Sequence, residues 1–173
     1  MGECEQRMQG LINSFLGDDH RRLDALFQSA FADRTAIDHA AYGQFRAGLL
    51  RHIGMEEKIL LPAAQEARAG QPLSVAAKLR LDHGAIASLL MPTPTDAVID
   101  MLREILTGHN EIEEGPDGVY EMCERAVGQN VEQIMARLHS APVVKVMPYS
   151  DTVAVMNTVR RAMERAGYSF KGS

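Results

Sequence analysis

Two histidines in this chain are each followed by a glutamate one helical turn later, giving His52-x-x-x-Glu56 and His109-x-x-x-Glu113. Residues four apart on a helix share a face, so each pair aims an imidazole and a carboxylate at one point. Two further histidines, His20 and His83, stand where a helix-bundle core would carry leucine. Polar groups on core stripes are costly unless they are paired or bind something. A neutral imidazole with a carboxylate suits divalent iron, zinc or manganese, and bridging carboxylates favour iron or manganese over a thiol-seeking metal. Four imidazoles and two carboxylates exceed what one tetrahedral zinc requires. They match two metal ions, each holding two histidines, with Glu56 and Glu113 bridging between them.

Such a set needs helices to carry it, and the apolar periodicity is helical throughout, with no run of period-two alternation. A short helix is expected over about residues 3–16, stopped by Gly17, and Asp18 then reads as the N-cap of a helix over about 19–32. Further helices are expected over about 36–67, bent near Pro62, then over about 73–90, 95–114 and 119–139. Gly115-Pro116-Asp117-Gly118 is the strongest break, and Pro116 is expected to distort the helix beside Glu113. Core-facing stripes with alternating steps of three and four run through Leu23 and Phe27, Phe45 and Leu49, Leu79 and Ile86, and Ile99 and Leu102. Each stripe holds one of the four histidines. Short connections imply antiparallel neighbours, so the expected fold is all-α: an up-down-up-down four-helix bundle with additional N- and C-terminal helices. At about 1.5 Å per residue, His20 and His52 fall at similar heights, whereas the later joints mismatch by on the order of 10 Å.

The composition is that of a globular domain. Of 173 residues, 46% are hydrophobic and 24% charged, enough for one real core. A net charge of −5 leaves no basic field for nucleic acid or an anionic membrane. No apolar run approaches the roughly 20 residues of a membrane helix, and Met1 to Gly10 is polar, unlike a signal peptide, so the expected compartment is the cytoplasm. Cys4 and Cys123 lack any metal-motif spacing and read as incidental. Asp19 reads as a solvated first-turn acid, with support of His20 as the alternative, and Asp82 is read in the same way. Glu57 and Glu114 sit about 100° from their neighbours on the helix and read as rim residues. His39 and His139 read as surface residues, Tyr42 and Tyr120 as packing. The segment Pro142 to Pro148 reads as extended, followed by a helix capped at Ser150 or Asp151 and stopped by Gly167.

The chain resembles the hemerythrin-like proteins of the HHE cation-binding type. The resemblance rests on Asp19-His20-Arg21-Arg22-Leu23, on His52-Ile53-Gly54-Met55-Glu56-Glu57 running to Leu61-Pro62, on Asp82-His83, and on His109-Asn110-Glu111-Ile112-Glu113-Glu114. It covers about residues 18–125, within a bundle domain expected over 1–140, and 141–173 form an extension with one helix. It implies a non-haem di-iron centre on His20, His52, Glu56, His83, His109 and Glu113 that meets oxygen, nitric oxide or peroxide. The His-x-x-x-Glu spacing differs from the Glu-x-x-His pairs of ferritin-like bundles and points away from ferritin-like oxidases. Oxygen-carrying hemerythrins have a further histidine four residues after the one on the third helix, where this chain has Ala87. The coordination sphere is then more open, or filled by water or an oxo bridge. That pattern resembles bacterial proteins of iron-centre repair and stress response more than oxygen carriers. Sensing or stress response is therefore the expected role, with a di-iron oxidase, peroxidase or nitric oxide reductase, or iron storage and donation, as alternatives. The last helix is expected to pack on its own bundle or across a homodimer, with docking of another protein as the sharper alternative.

Overall fold

A computed structural model describes residues 10–33 and 35–171 of the chain, and every regular element among them is helical. In chain order these are α1 (Leu11–Ala30), α2 (His39–Met55), a π turn (Glu56–Leu60), α3 (Leu61–Ala67), α4 (Ala76–Leu89), α5 (Asp96–Glu114), α6 (Val119–Val127), a 3-10 turn (Gly128–Asn130), α7 (Val131–His139) and α8 (Val153–Ala166). They fall into two compact units. One comprises the residues up to Leu73 with Glu113–Val146, the other Ser74–Ile112 with the residues from Met147 onward. Thus α5 belongs to the second unit except for its last residues, Glu113 and Glu114.

In the first unit, α1 and α2 form the frame. The expected stop at Gly17 is not there: α1 runs unbroken through Gly17 and Asp18. Gly17 serves a close approach instead, since a Cβ at this position would lie 2.8 Å from Glu114 Oε2. Residues 3–9 of the short helix expected at the N-terminus lie outside the described residues. The first turn of α1 is satisfied from a distance, as Leu11 N donates to Glu124 Oε1 at 2.9 Å. Along α1, Leu16, Leu23, Phe27 and Ala30 are buried on the stripe that also carries His20. The eight-residue return to α2 ends at Asp38, whose carboxylate caps Ala40 N and Ala41 N. Phe27, Phe31, Tyr42 and Phe45 then pack as one aromatic cluster, with ring centroids 4.8 Å apart between Phe27 and Phe45. Tyr42 is a packing residue, as expected.

The bend expected near Pro62 takes a specific form. In a regular helix the proline ring would meet the carbonyl four residues back. The chain instead widens by one residue over Glu56–Leu60, and Leu61 N donates to Glu56 O, five residues back. Pro62 then sits in the first turn of α3, where a missing N–H costs nothing. At the other break, α5 ends at Glu114 rather than continuing distorted, and Gly118 N donates to Gly115 O at 2.7 Å. A Cβ on Gly118 would lie 2.5 Å from Glu113 O, so only glycine closes this turn and starts α6 so soon.

In the second unit, α4 buries Leu79, Ile86 and Leu89, and α8 packs against it through Val159, Ala162, Met163 and Ala166. Lys78 ties the two together, reaching Asp82 on its own helix, Ala166 O and the Tyr168 ring. The helix α8 is capped by Thr152 and ends at Gly167 in the left-handed conformation. The cap expected at Asp151 is displaced by one residue because that carboxylate accepts from Thr93 N and Thr93 Oγ1. The C-terminal helix therefore packs within its own chain.

Candidate metal centre

The first unit gathers four of the sequence-predicted residues. His20 projects from the middle of α1, His52 from the last turn of α2, Glu56 from the start of the π turn and Glu113 from the end of α5. All four are buried, Glu56 at 2% and Glu113 at 1% relative exposure. One ligand atom from each lies within 4.8 Å of all the others. His20 Nε2 is 3.4 Å from Glu113 Oε2, and His52 Nε2 is 3.3 Å from Glu56 Oε1. In the second unit, His83 from α4 and His109 from α5 turn their Nε2 atoms on each other at 3.0 Å.

What holds these rings could not be read from helical spacing. His52 Nδ1 is 2.8 Å from Asp19 Oδ2, and His20 Nδ1 is 2.6 Å from Glu114 Oε1. In the second unit His109 Nδ1 lies 3.5 Å from Asp82 Oδ2. A carboxylate behind Nδ1 with Nε2 turned inward is the arrangement that metal-ligating histidines use. Three expectations are corrected here. Asp19 is not a solvated acid and does not serve its neighbour His20: adjacent residues on α1 diverge by about 100°, so Asp19 points to α2. Glu114 is no rim residue in function, because the bare backbone at Gly17 lets its carboxylate reach His20. Asp82 is fully buried between Lys78 and His109 rather than solvated.

Tyr120, read from sequence as packing, is the fourth correction. It has no exposed surface, and its hydroxyl donates to Glu56 Oε1 at 2.6 Å. The same oxygen is 3.1 Å from Glu113 Oε2, 3.1 Å from His20 Nε2 and 3.2 Å from His52 Nε2. Only the tight turn at Gly115–Gly118 brings a residue seven positions after Glu113 back onto it. A tyrosine following a Gly-Pro-Asp-Gly break was the one available signal. His39 and His139 are exposed, as expected. Cys4 lies outside the described residues.

The charges in this cluster are strongly unbalanced. Burial alone would push the His52 imidazolium down, yet the Glu56 charge, the bonds to Asp19 and Glu56, and the Glu113 charge together raise it to about 10. For Asp19, burial raises, but the bonds and charges of His52 and Arg22 outweigh it and hold the carboxyl below its ordinary value. Burial, joined by the charges of Glu56 and Glu113, keeps the Tyr120 phenol protonated well above its ordinary range. The same causes push the Cys123 thiol up to about 12, which removes it as a thiolate ligand. The field of the site is one that draws in positive charge. A cation held by nitrogen and oxygen donors fits it, and the donor set, rich in imidazole and carboxylate with no thiolate, suits iron, manganese or zinc.

The hemerythrin HHE cation-binding domain model matches residues 11–116, more than half the chain. The chain belongs to this family, as the motifs at His20, His52, Asp82 and His109 led us to expect. No curated protein and no solved structure matches it. Among the described residues no helix is long and apolar enough to cross a membrane.

Proposed function

We propose that this chain is a non-haem iron protein, and that His20, His52, Glu56, His83, His109 and Glu113 would hold two iron ions. The observation that carries the reading is the backing of the imidazoles. His20, His52 and His109 each present Nδ1 to a carboxylate and aim Nε2 into a buried space. That arrangement fixes the direction of a ligating imidazole and raises its basicity. Membership of a cation-binding family supports the same conclusion. Iron is favoured over zinc because six nitrogen and oxygen donors exceed a closed tetrahedral site.

Bound iron would supply a redox-active centre with a coordination position open to oxygen, nitric oxide or peroxide. The protein's own part is to fix the direction of the imidazoles through Asp19, Glu114 and Asp82, and to bury the carboxylates away from competing water. Ala87 withholds the extra nitrogen of the oxygen carriers, so the role we assign is sensing or stress response, including repair of iron centres, in the cytoplasm.

The deciding experiment loads the protein anaerobically with ferrous iron and measures metal per chain. Close to two irons are expected, and His52→Ala is expected to lose metal. One iron per chain, a firm preference for zinc, or unchanged metal in the variant would refute the assignment. A spectral change with nitric oxide or peroxide but no turnover supports sensing. Steady turnover with a reductant would replace that role by an enzyme, and iron release to an apo iron–sulfur protein by donation.

A further inference from the structure

We infer that Tyr120 is a ligand of this centre, its phenolate oxygen joining His20, His52, Glu56 and Glu113 around the same ion. The inference rests on the iron-binding reading above and adds a donor that lies beyond residue 116, where the family match ends.

The geometry is that of one coordination polyhedron. Two donors each about 2.1 Å from one metal and at right angles to each other are about 3 Å apart. The pairs His20 Nε2–Glu113 Oε2 and His52 Nε2–Glu56 Oε1, at 3.4 and 3.3 Å, match such edges. The Tyr120 oxygen lies 2.6, 3.1, 3.1 and 3.2 Å from the same four atoms. It is as close to each of the four as the members of those two pairs are to each other, which is the position of a further vertex. A packing tyrosine would place its hydroxyl against one or two partners.

The chemistry of the donors agrees with this geometry. With Nδ1 of His20 and of His52 turned to Glu114 and Asp19, their Nε2 atoms and the carboxylate oxygens of Glu56 and Glu113 face the Tyr120 oxygen. A phenolate is also a hard anionic donor, suited to ferric iron, and tyrosine serves as an iron ligand in some haem proteins. When the phenolate binds, the O–H bond breaks, the oxygen–iron bond forms and the proton leaves to solvent. The backbone that presents it is built for close return, since Gly118 admits no Cβ and α6 starts at Val119, six positions after Glu113.

The test uses the full chain, loaded anaerobically with ferrous iron, oxidised with ferricyanide (one electron per iron) and desalted. The expected result is a visible phenolate-to-ferric charge-transfer band whose resonance Raman spectrum shows enhanced tyrosinate ring modes, shifting when the protein is made with ring-deuterated tyrosine. Tyr120→Phe is expected to retain iron and lose the band, while Tyr42→Phe, in the aromatic cluster, keeps it. If the native protein holds ferric iron without tyrosinate modes, the inference is overturned whether or not Tyr120→Phe folds. A band that survives in Tyr120→Phe overturns it equally. Failure of the native protein to bind iron at all would instead strike the underlying metal reading, so the two failures are distinct.

Discussion

Replacing Gly17 by alanine should separate the stability of the fold from the quality of the metal site. The new Cβ would lie 2.8 Å from Glu114 Oε2 and 3.4 Å from Glu114 Cδ. Because those atoms end a flexible side chain, the carboxylate moves and the helix stays. Alanine in a helix interior gains about 1 kcal/mol over glycine. Against this stands the bond from Glu114 to His20, whose carboxylate is 31% exposed, and a bond of that kind contributes about 1 kcal/mol. The two effects nearly cancel, so the melting temperature of the chelated protein should stay within about 3 °C of the native value. Iron affinity should behave quite differently. Losing the partner that orients a ligating histidine typically costs about 10–100-fold in metal affinity. Differential scanning fluorimetry gives the first quantity and competition against a chelator the second, with Glu114→Gln as the companion variant. An unchanged affinity in Gly17→Ala would refute the role of Glu114 behind His20. A melting point lowered by about 10 °C would show instead that the helix itself cannot accept the Cβ.

Asp19→Asn should lower iron affinity by about 10–100-fold in the same competition assay, because the group behind His52 Nδ1 loses its charge; equal affinity would remove Asp19 from the site. The chelated protein should also lose stability as pH rises. His52 titrates at about 10 in the fold against an ordinary 6.5, so its imidazolium, facing Asp19, Glu56, Glu113, His20 and Tyr120, stabilises fully below pH 6.5 and ceases to do so as pH passes about 10. Metal binding requires the neutral ring, so iron affinity should rise over the same window in which the melting temperature of the chelated protein falls. A melting temperature that is level across that window would contradict the charge balance derived for the cluster.

Read along the chain, the helices and the paired residues were legible because both depend on local periodicity. His52 and Glu56, and likewise His109 and Glu113, share a face through the i,i+4 rule alone, and the apolar stripes around them mark which face is core. Glycine and proline were legible as punctuation but ambiguous in kind. By local rules Gly17 signals a stop, yet it is a point of close approach; Pro62 signals a bend, and it produces a widened turn that starts at Glu56. Either outcome satisfies the local rule, and the neighbour packed against that backbone decides between them.

What the sequence by itself determined was the all-helical character, the family, and six residues whose chemistry invites a metal. The carboxylates behind the histidines were decided only by the tertiary structure, as was the part played by Tyr120. Asp19 meets His52 across 33 positions, Glu114 meets His20 across 94, and Tyr120 meets His20 across 100. No periodicity links residues at such separations. They are neighbours because α1 and α2 pack as a pair, because Gly17 leaves room for a carboxylate, and because Gly118 folds the chain sharply back on Glu113.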